Sequence, residues 1–327
     1  MNLNSLSDAL NEAMSQPWVG FVSLKSSEKK NAKNGSAYMR ITLSDGKMTV
    51  ASNIFEDRPS FHPLNVQEWK VGDHFKVQGK ASTHPQYGRQ IEIQKMRPVE
   101  SHDAVDGYRP ENLLEKAPVD LELFWKEISE AIEELKPEPL RLTVLALFEK
   151  HGEAFRGAAA AKQAHHANYG GLMHHTGMML REAKALLAVP DFPPMNRSLA
   201  LAGILLHDLA KTVEIEKYPR CEYTEAGMLI GHISIIAGWL DEAAAQVGFG
   251  GQELLHLKHI LLSHHGELEF GAAALPQTKE ALFVHLIDNM DAKMQMVHFA
   301  ISRLEPHESV TEKLWAFENR AFRKSPQ

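Results

Sequence analysis

The sequence is poor in cysteine: Cys221 is the only one in 327 residues. No intramolecular disulfide can form, and the expected setting is a reducing, cytoplasmic one. No apolar run approaches the ~20 residues that span a bilayer, so no membrane association is expected. The opening stretch, MNLNSLSDALNEAM, lacks the basic start and apolar segment of a secretory leader. A glycine-rich phosphate loop is also missing, since YGG at 169–171 does not fit one. Cys221 sits in no motif that suggests a nucleophile. Net positive charge is lacking too: the formal charge is −7, with a pI of about 6.2. A chain-wide affinity for nucleic acid is therefore not expected.

The charge is unevenly spread. Residues 17–100 carry 13 Lys and Arg against 8 Asp and Glu, a balance of +5, which leaves −12 for the rest. Such asymmetry points to a separate basic module. The length suits two domains, each with a core that needs no staples.

Hydrophobic periodicity divides the chain in the same place. After an N-terminal segment, residues 1–16, the stretches WVGFVSLKSS, SAYMRITLSDGKMTVAS, DHFKVQGKAS and GRQIEIQKMRPV alternate apolar and polar residues. Ser44–Lys47 (SDGK) reads as a hairpin turn, and Thr83–Gln90 as a further turn. About five strands over 17–100 predict a small all-β barrel of the OB type, a fold that binds single strands. Its basic residues (Lys25, Lys29, Lys30, Lys33, Arg40, Lys76, Lys80, Arg89) interleave with aromatics (Phe21, Tyr38, Phe61, Phe75, Tyr87). Aromatic platforms beside cations are what single-stranded nucleic acid requires. Taken singly, each aromatic is better explained as barrel core and each lysine as solvated surface; taken together they point to binding. Lys25, Tyr38, Arg40, Phe75, Lys76 and Arg89 are the candidate nucleic-acid contacts. Residues 101–120 read as a linker. From 121 to 327 the apolar spacing is helical, broken at Pro137 and Pro139, which predicts an all-α domain.

What the chain has in abundance is histidine, 18 residues, clustered in the acidic helical half. His174 and His175 lie in YGGLMHHTGMML. His207, Asp208 and Lys211 follow the apolar run of AGILLHDLAKT. His232 lies in GHISI, His264 and His265 in LSHHGELEFG, and Asp288 and Asp291 in IDNMDAKM. Each follows an apolar stretch. Burying one imidazole or carboxylate without a partner costs a few kcal/mol, so a lone histidine here reads as a hydrogen-bonded core residue. Six or seven such groups are best reconciled by a shared metal. Mixed histidine and carboxylate donors suit manganese, iron, cobalt or zinc more than calcium.

The order His, His-Asp, His, His, Asp resembles the HD-domain superfamily of metal-dependent phosphohydrolases, an all-helical fold. The five motifs behind a barrel resemble, more narrowly, the YhaM-type 3′→5′ exoribonucleases, over residues ~18 to ~305. The resemblance implies the metal ligands His175, His207, Asp208, His232, His264, His265 and Asp288. In a two-metal site His175, His207, Asp208 and Asp288 would hold one ion, and Asp208, His232, His264 and His265 the other. A one-metal site leaves His265 outside. The implied ion is a divalent transition metal, manganese or cobalt in preference to iron, zinc or magnesium. Asp208 is implied as the catalytic centre and Lys211 as the phosphate contact; the bland reading of Lys211 is a solvated charge at a helix C-terminus. Asp291, one turn from Asp288, either orients a ligand or lies at the surface. His166 is a candidate to face substrate; His165, His256, His285 and His298 read as structural or exposed.

The implied reaction is metal-dependent hydrolysis of the terminal phosphodiester at the 3′ end of single-stranded RNA or DNA, releasing nucleoside 5′-monophosphates. Two alternatives stay open: a phosphohydrolase of a small nucleotide or cyclic dinucleotide, and a non-catalytic nucleic-acid-binding protein with a structural metal. Assembly into a homo-oligomer is compatible with all three.

Overall fold

The computed structural model describes residues 5–11, 17–32, 35–55, 69–84, 88–161, 168–304 and 308–326. Lys33, Phe61, Tyr87, His165 and His166 lie outside the described residues, as does the side chain of Arg89. The chain forms two compact units, residues 1–116 and 117–327.

The first unit opens with a short helix, α1 (Leu6–Asn11), followed by strands β1 (Trp18–Asn31), β2 (Ala37–Ser44), β3 (Thr49–Phe55), β4 (His74–His84) and β5 (Gly88–Pro98). All neighbours are antiparallel, in the order β3-β2-β1-β4-β5. The ends of that order meet: Ser52 Oγ on β3 donates to the Ile91 carbonyl on β5 at 2.6 Å. This contact curls the sheet into the expected OB-like barrel. Alternation decides what fills it. Val22, Leu24, Ile41, Leu43, Ile54, Phe75, Val77 and Ile91 point inward and are buried. Asp45 makes the β2–β3 turn, its Oδ1 accepting from the Met48 N–H at 2.8 Å.

Residues 101–116, read from the sequence as part of a linker, belong to the first unit and carry 3₁₀ turns at Ser101–Ala104 and Pro110–Leu113. The buried carboxylate of Asp103 holds this segment on the barrel. It accepts from Arg97 through both oxygens at 2.7 Å and from Lys76 at 3.1 Å.

The described part of the second unit is helical: α2 (Leu121–Glu133), α3 (Glu138–Gly157), α4 (Gly171–Leu187), α5 (Arg197–Leu206), α6 (Lys211–Glu214), α7 (Glu225–Leu229), α8 (His232–Val247), α9 (Gly251–Ser263) and α10 (Lys279–Ser302). Pro137 and Pro139 separate α2 from α3 by sitting at the α3 N-terminus, where a missing N–H costs nothing. The centre of the unit is α5. Every residue from Leu199 to Leu206 is buried, so this helix is apolar all round. Gly203 lets α9 approach closely, since a Cβ there would stand 2.5 Å from Ile260 Cγ2. The run that ends in His207 and Asp208 is thus anchored in the core, and its end is fixed in space. No described helix is long and apolar enough to cross a membrane.

Candidate metal centre

Five helices bring polar residues to one place. His175 comes from the second turn of α4, and His207 caps α5 with Asp208 next to it. His232 opens α8, His264 caps α9 with His265 following, and Asp288 lies on α10. Gly231, at φ +76° and ψ 153°, takes a conformation open chiefly to glycine, and His232 follows it at the first position of α8.

The donor atoms gather into two groups that share one residue. Atoms from His175, His207 and Asp208 lie within 4.8 Å of one another, and so do atoms from Asp208, His232, His264 and His265. Asp288 Oδ1 stands 3.3 Å from His175 Nε2. Donors about 2.1 Å from one ion are at most about 4.2 Å apart, so each group is near coordination size.

The rings are held by their outer nitrogens. His207 Nδ1 donates to the Ile204 carbonyl at 2.7 Å and His264 Nδ1 to that of Leu261 at 2.8 Å. His265 Nδ1 donates to the Phe270 carbonyl at 2.8 Å. His232 Nδ1 meets Glu214 Oε1 at 2.8 Å, and His175 Nδ1 meets Asp291 Oδ2 at 2.6 Å. A proton fixed on Nδ1 leaves the Nε2 lone pair facing inward, the usual arrangement of metal-binding imidazoles. His285 adds a further tie, its Nδ1 donating to the His264 carbonyl at 2.9 Å.

The inward atoms test whether a metal fits. Asp208 Oδ1, His232 Nε2 and His264 Nε2 are buried and have no hydrogen-bond partner among the described residues. Asp208 Oδ1 and His232 Nε2 face each other at 3.4 Å with no hydrogen bond between them. Three orphaned polar atoms converging at one point are costly in a core, and a divalent ion satisfies all three. The donor set fits the group.

Charge is arranged to match. Burial opposes ionisation of Asp208, but Lys211, then His207 and His232, hold its carboxyl well below the usual range. Asp288 is likewise held low against burial, by its hydrogen bond to His175 and by the charges of nearby histidines. Burial, with His207 and His265 adding to it, keeps His264 far below the ordinary imidazole value and therefore neutral at pH 7. His175 is pushed up to about 10: burial works against its charge, but hydrogen bonds to Asp288 and Asp291 outweigh it. Two carboxylates flanking this ring call for a positive charge, which a proton or a divalent ion supplies.

Lys211 is not a solvated charge at a helix C-terminus. It begins α6, its side chain is 18% exposed, and its Nζ donates to Asp208 Oδ2 at 2.7 Å. It lines a cleft of about 730 Å³ together with Glu214, His232 and His265. Asp291 is buried on His175 rather than at the surface. His256 is half-buried and His298 exposed. Glu214, which pins His232, was not singled out by the sequence reading; the only local signal is an acid in a segment that holds several.

On the barrel the expected contacts divide. Arg40 is exposed, and Tyr38 is half-buried beside Phe55, ring centroids 5.2 Å apart. Phe75 corrects the expectation: it is 1% exposed and packs on Trp69, ring centroids 4.5 Å apart, so it has no open face for a base. Lys25 is paired with Glu115 at 2.8 Å, and Lys76 is held by Asp103 and Asp106. These two lysines close the barrel's own ion pairs.

The chain is similar to known proteins over most of its length. The profile of the HD domain family matches residues 171–293. The chain is 34% identical over 307 residues to the 3′-5′ exoribonuclease YhaM of Geobacillus sp. (strain WCH70), covering 93% of this chain and 90% of that one. It is 33% identical to 3′-5′ exoribonuclease YhaM of Bacillus subtilis (strain 168), covering 93% of each chain. A third relative of the same name, from Bacillus pumilus (strain SAFR-032), is 34% identical over 92% of each.

Proposed function

The chain belongs to the YhaM 3′-5′ exoribonuclease family, with an HD domain within its helical unit, and from that premise we propose that it is a metal-dependent 3′→5′ exoribonuclease acting on single-stranded RNA. The observation that carries the proposal is the convergence of Asp208 Oδ1, His232 Nε2 and His264 Nε2, buried and unpartnered, on one point beside Lys211.

His175, His207, Asp208 and Asp288 would hold one divalent ion, and Asp208, His232, His264 and His265 a second. Ions held there polarise a phosphoryl oxygen and make a water nucleophilic near neutral pH. The chain's own groups do the rest. Lys211, raised in pKa against burial by Asp208 and then by Asp288 and Glu214, stays charged and places its ammonium where a non-bridging phosphate oxygen gains charge. Asp291 and Glu214 hold the His175 and His232 rings in the tautomer that faces inward. The mixed histidine and carboxylate donor set suits a divalent transition metal, and manganese or cobalt is the ion that the family resemblance implies. Water attacks the terminal phosphorus, the bond to the upstream 3′ oxygen breaks, and a nucleoside 5′-monophosphate leaves. The exposed Arg40 and the Tyr38–Phe55 pair suit the barrel to hold the upstream strand. The expected compartment is the cytoplasm.

The test is product identity. Single-stranded RNA given to the manganese-loaded protein should yield nucleoside 5′-monophosphates, resolved by chromatography, and the yield should fall when the 3′ end is blocked. Release of 3′-monophosphates, or hydrolysis of small cyclic phosphates only, contradicts the proposal.

A further inference from the structure

The cleft beside the metal centre has an apolar side with no part in holding ions. It is lined by Tyr223, 48% exposed, and Ile230, 58% exposed. The backbone at Tyr223 is tied to that at Glu214, the residue that pins His232. Tyr223 ends a short hairpin in which Ile215 bridges Tyr223, and Glu216 N–H donates to the Glu222 carbonyl at 2.7 Å. The next residue, Thr224, donates its N–H to the Glu214 carbonyl at 3.0 Å. Ile230 is two residues before His232. The backbone that carries both residues is thus continuous with the site.

Three polar groups of the cleft are already engaged. Lys211 is on Asp208, Glu214 on His232, and His265 on the Phe270 carbonyl. Beside them the Tyr223 ring and the aliphatic surface of Ile230 both stand exposed along the cleft. Such a surface receives the flat, apolar face of a nucleobase and reads no hydrogen-bond pattern.

We propose that Tyr223, with Ile230 beside it, forms the subsite for the base of the 3′-terminal nucleotide, gripping it by stacking and so seating its phosphate at Lys211. This rests on the exoribonuclease reading above. The subsite is sequence-tolerant, and its binding energy acts on KM more than on kcat.

The experiment compares two 5′-labelled RNAs, alike except that one ends in adenosine and the other in an abasic nucleotide. Both are given to the manganese-loaded full-length protein. For the parent, kcat/KM should be about tenfold higher with the terminal base, in line with stacking on one aromatic side chain. Tyr223→Ala should bring that ratio close to one, mostly through KM, and Tyr223→Phe should keep it. A parent ratio near one overturns the inference whatever the variants do. So does a Tyr223→Ala loss equal on both RNAs. A parent that leaves both RNAs intact while hydrolysing a small phosphodiester overturns the exoribonuclease reading, and the subsite with it.

Discussion

Glu214 Oε1 accepts two hydrogen bonds from one residue: the backbone N–H of His232 at 2.9 Å and its imidazole Nδ1–H at 2.8 Å. One oxygen thus sets both the start of α8 and the tautomer of the ring that opens it. Burial raises the pKa of Glu214, but the bond to His232 outweighs it, and the carboxyl stays low and ionised.

Glu214→Gln should therefore weaken divalent-metal binding 10- to 100-fold, the usual cost of losing a partner behind a ligand. Competition with a chelator of known affinity reads this directly. Unchanged affinity would show that His232 is oriented without Glu214.

Lys211→Met should lower kcat by about 10²–10³, since it removes a preorganised cation at the developing charge. Lys211→Arg should recover part of the loss. A loss confined to KM would make Lys211 a binding group only.

Glu182 Oε2 is buried with no hydrogen-bond partner among the described residues. Burial first, and the charge of Asp291 second, push its carboxyl up to about 7 from an ordinary 4.5. Below about 4.5 the group is neutral in the folded and unfolded chain alike. Between there and about 7 the unfolded chain ionises first, so stability is lost across that window and levels off above it. Glu182→Gln should then raise Tm at pH 8 and leave it nearly unchanged at pH 4.5. An equal shift at both pH values would exclude a titrating carboxyl at this position.

Two substitutions on the barrel separate core from surface. Phe75→Ala should cost about 3–5 kcal/mol of barrel stability, read by denaturant titration. Arg40→Ala should leave stability within about 0.5 kcal/mol and reduce the salt slope of RNA binding by about one. The reverse pattern would place Phe75 at the interface and Arg40 in a structural role.

These cases show which features the sequence made legible. Period 2 followed by period 3.6 gave the barrel and the helical unit, because each unit buries one face of its elements. The candidate ligands are readable because His207, Asp208 and their companions each follow an apolar run, where an unpaired polar group is hard to bury. Phe75 shares strand parity with Val77 in HFKVQGK and points inward with it, so aromatic type alone does not mark a base platform there. Glu214 was not legible. It lies 18 residues before the ring it pins, in a segment that also holds Glu216 and Glu222, and only the fold distinguishes it. Asp291 was ambiguous because one helical turn from Asp288 fits either a ligand partner or the surface, and the packing of α10 decides it.

The most direct test strips the protein of metal, restores manganese, cobalt, zinc or magnesium in turn, and supplies a single-stranded RNA labelled at its 5′ end, beside the Asp208→Ala variant. Asp208 joins both donor groups, so its loss should abolish a metal-dependent ladder that shortens from the 3′ end in the parent. Cleavage by Asp208→Ala at the parent's rate, or no cleavage by the parent with any metal, would contradict a metal-dependent exoribonuclease centred on Asp208.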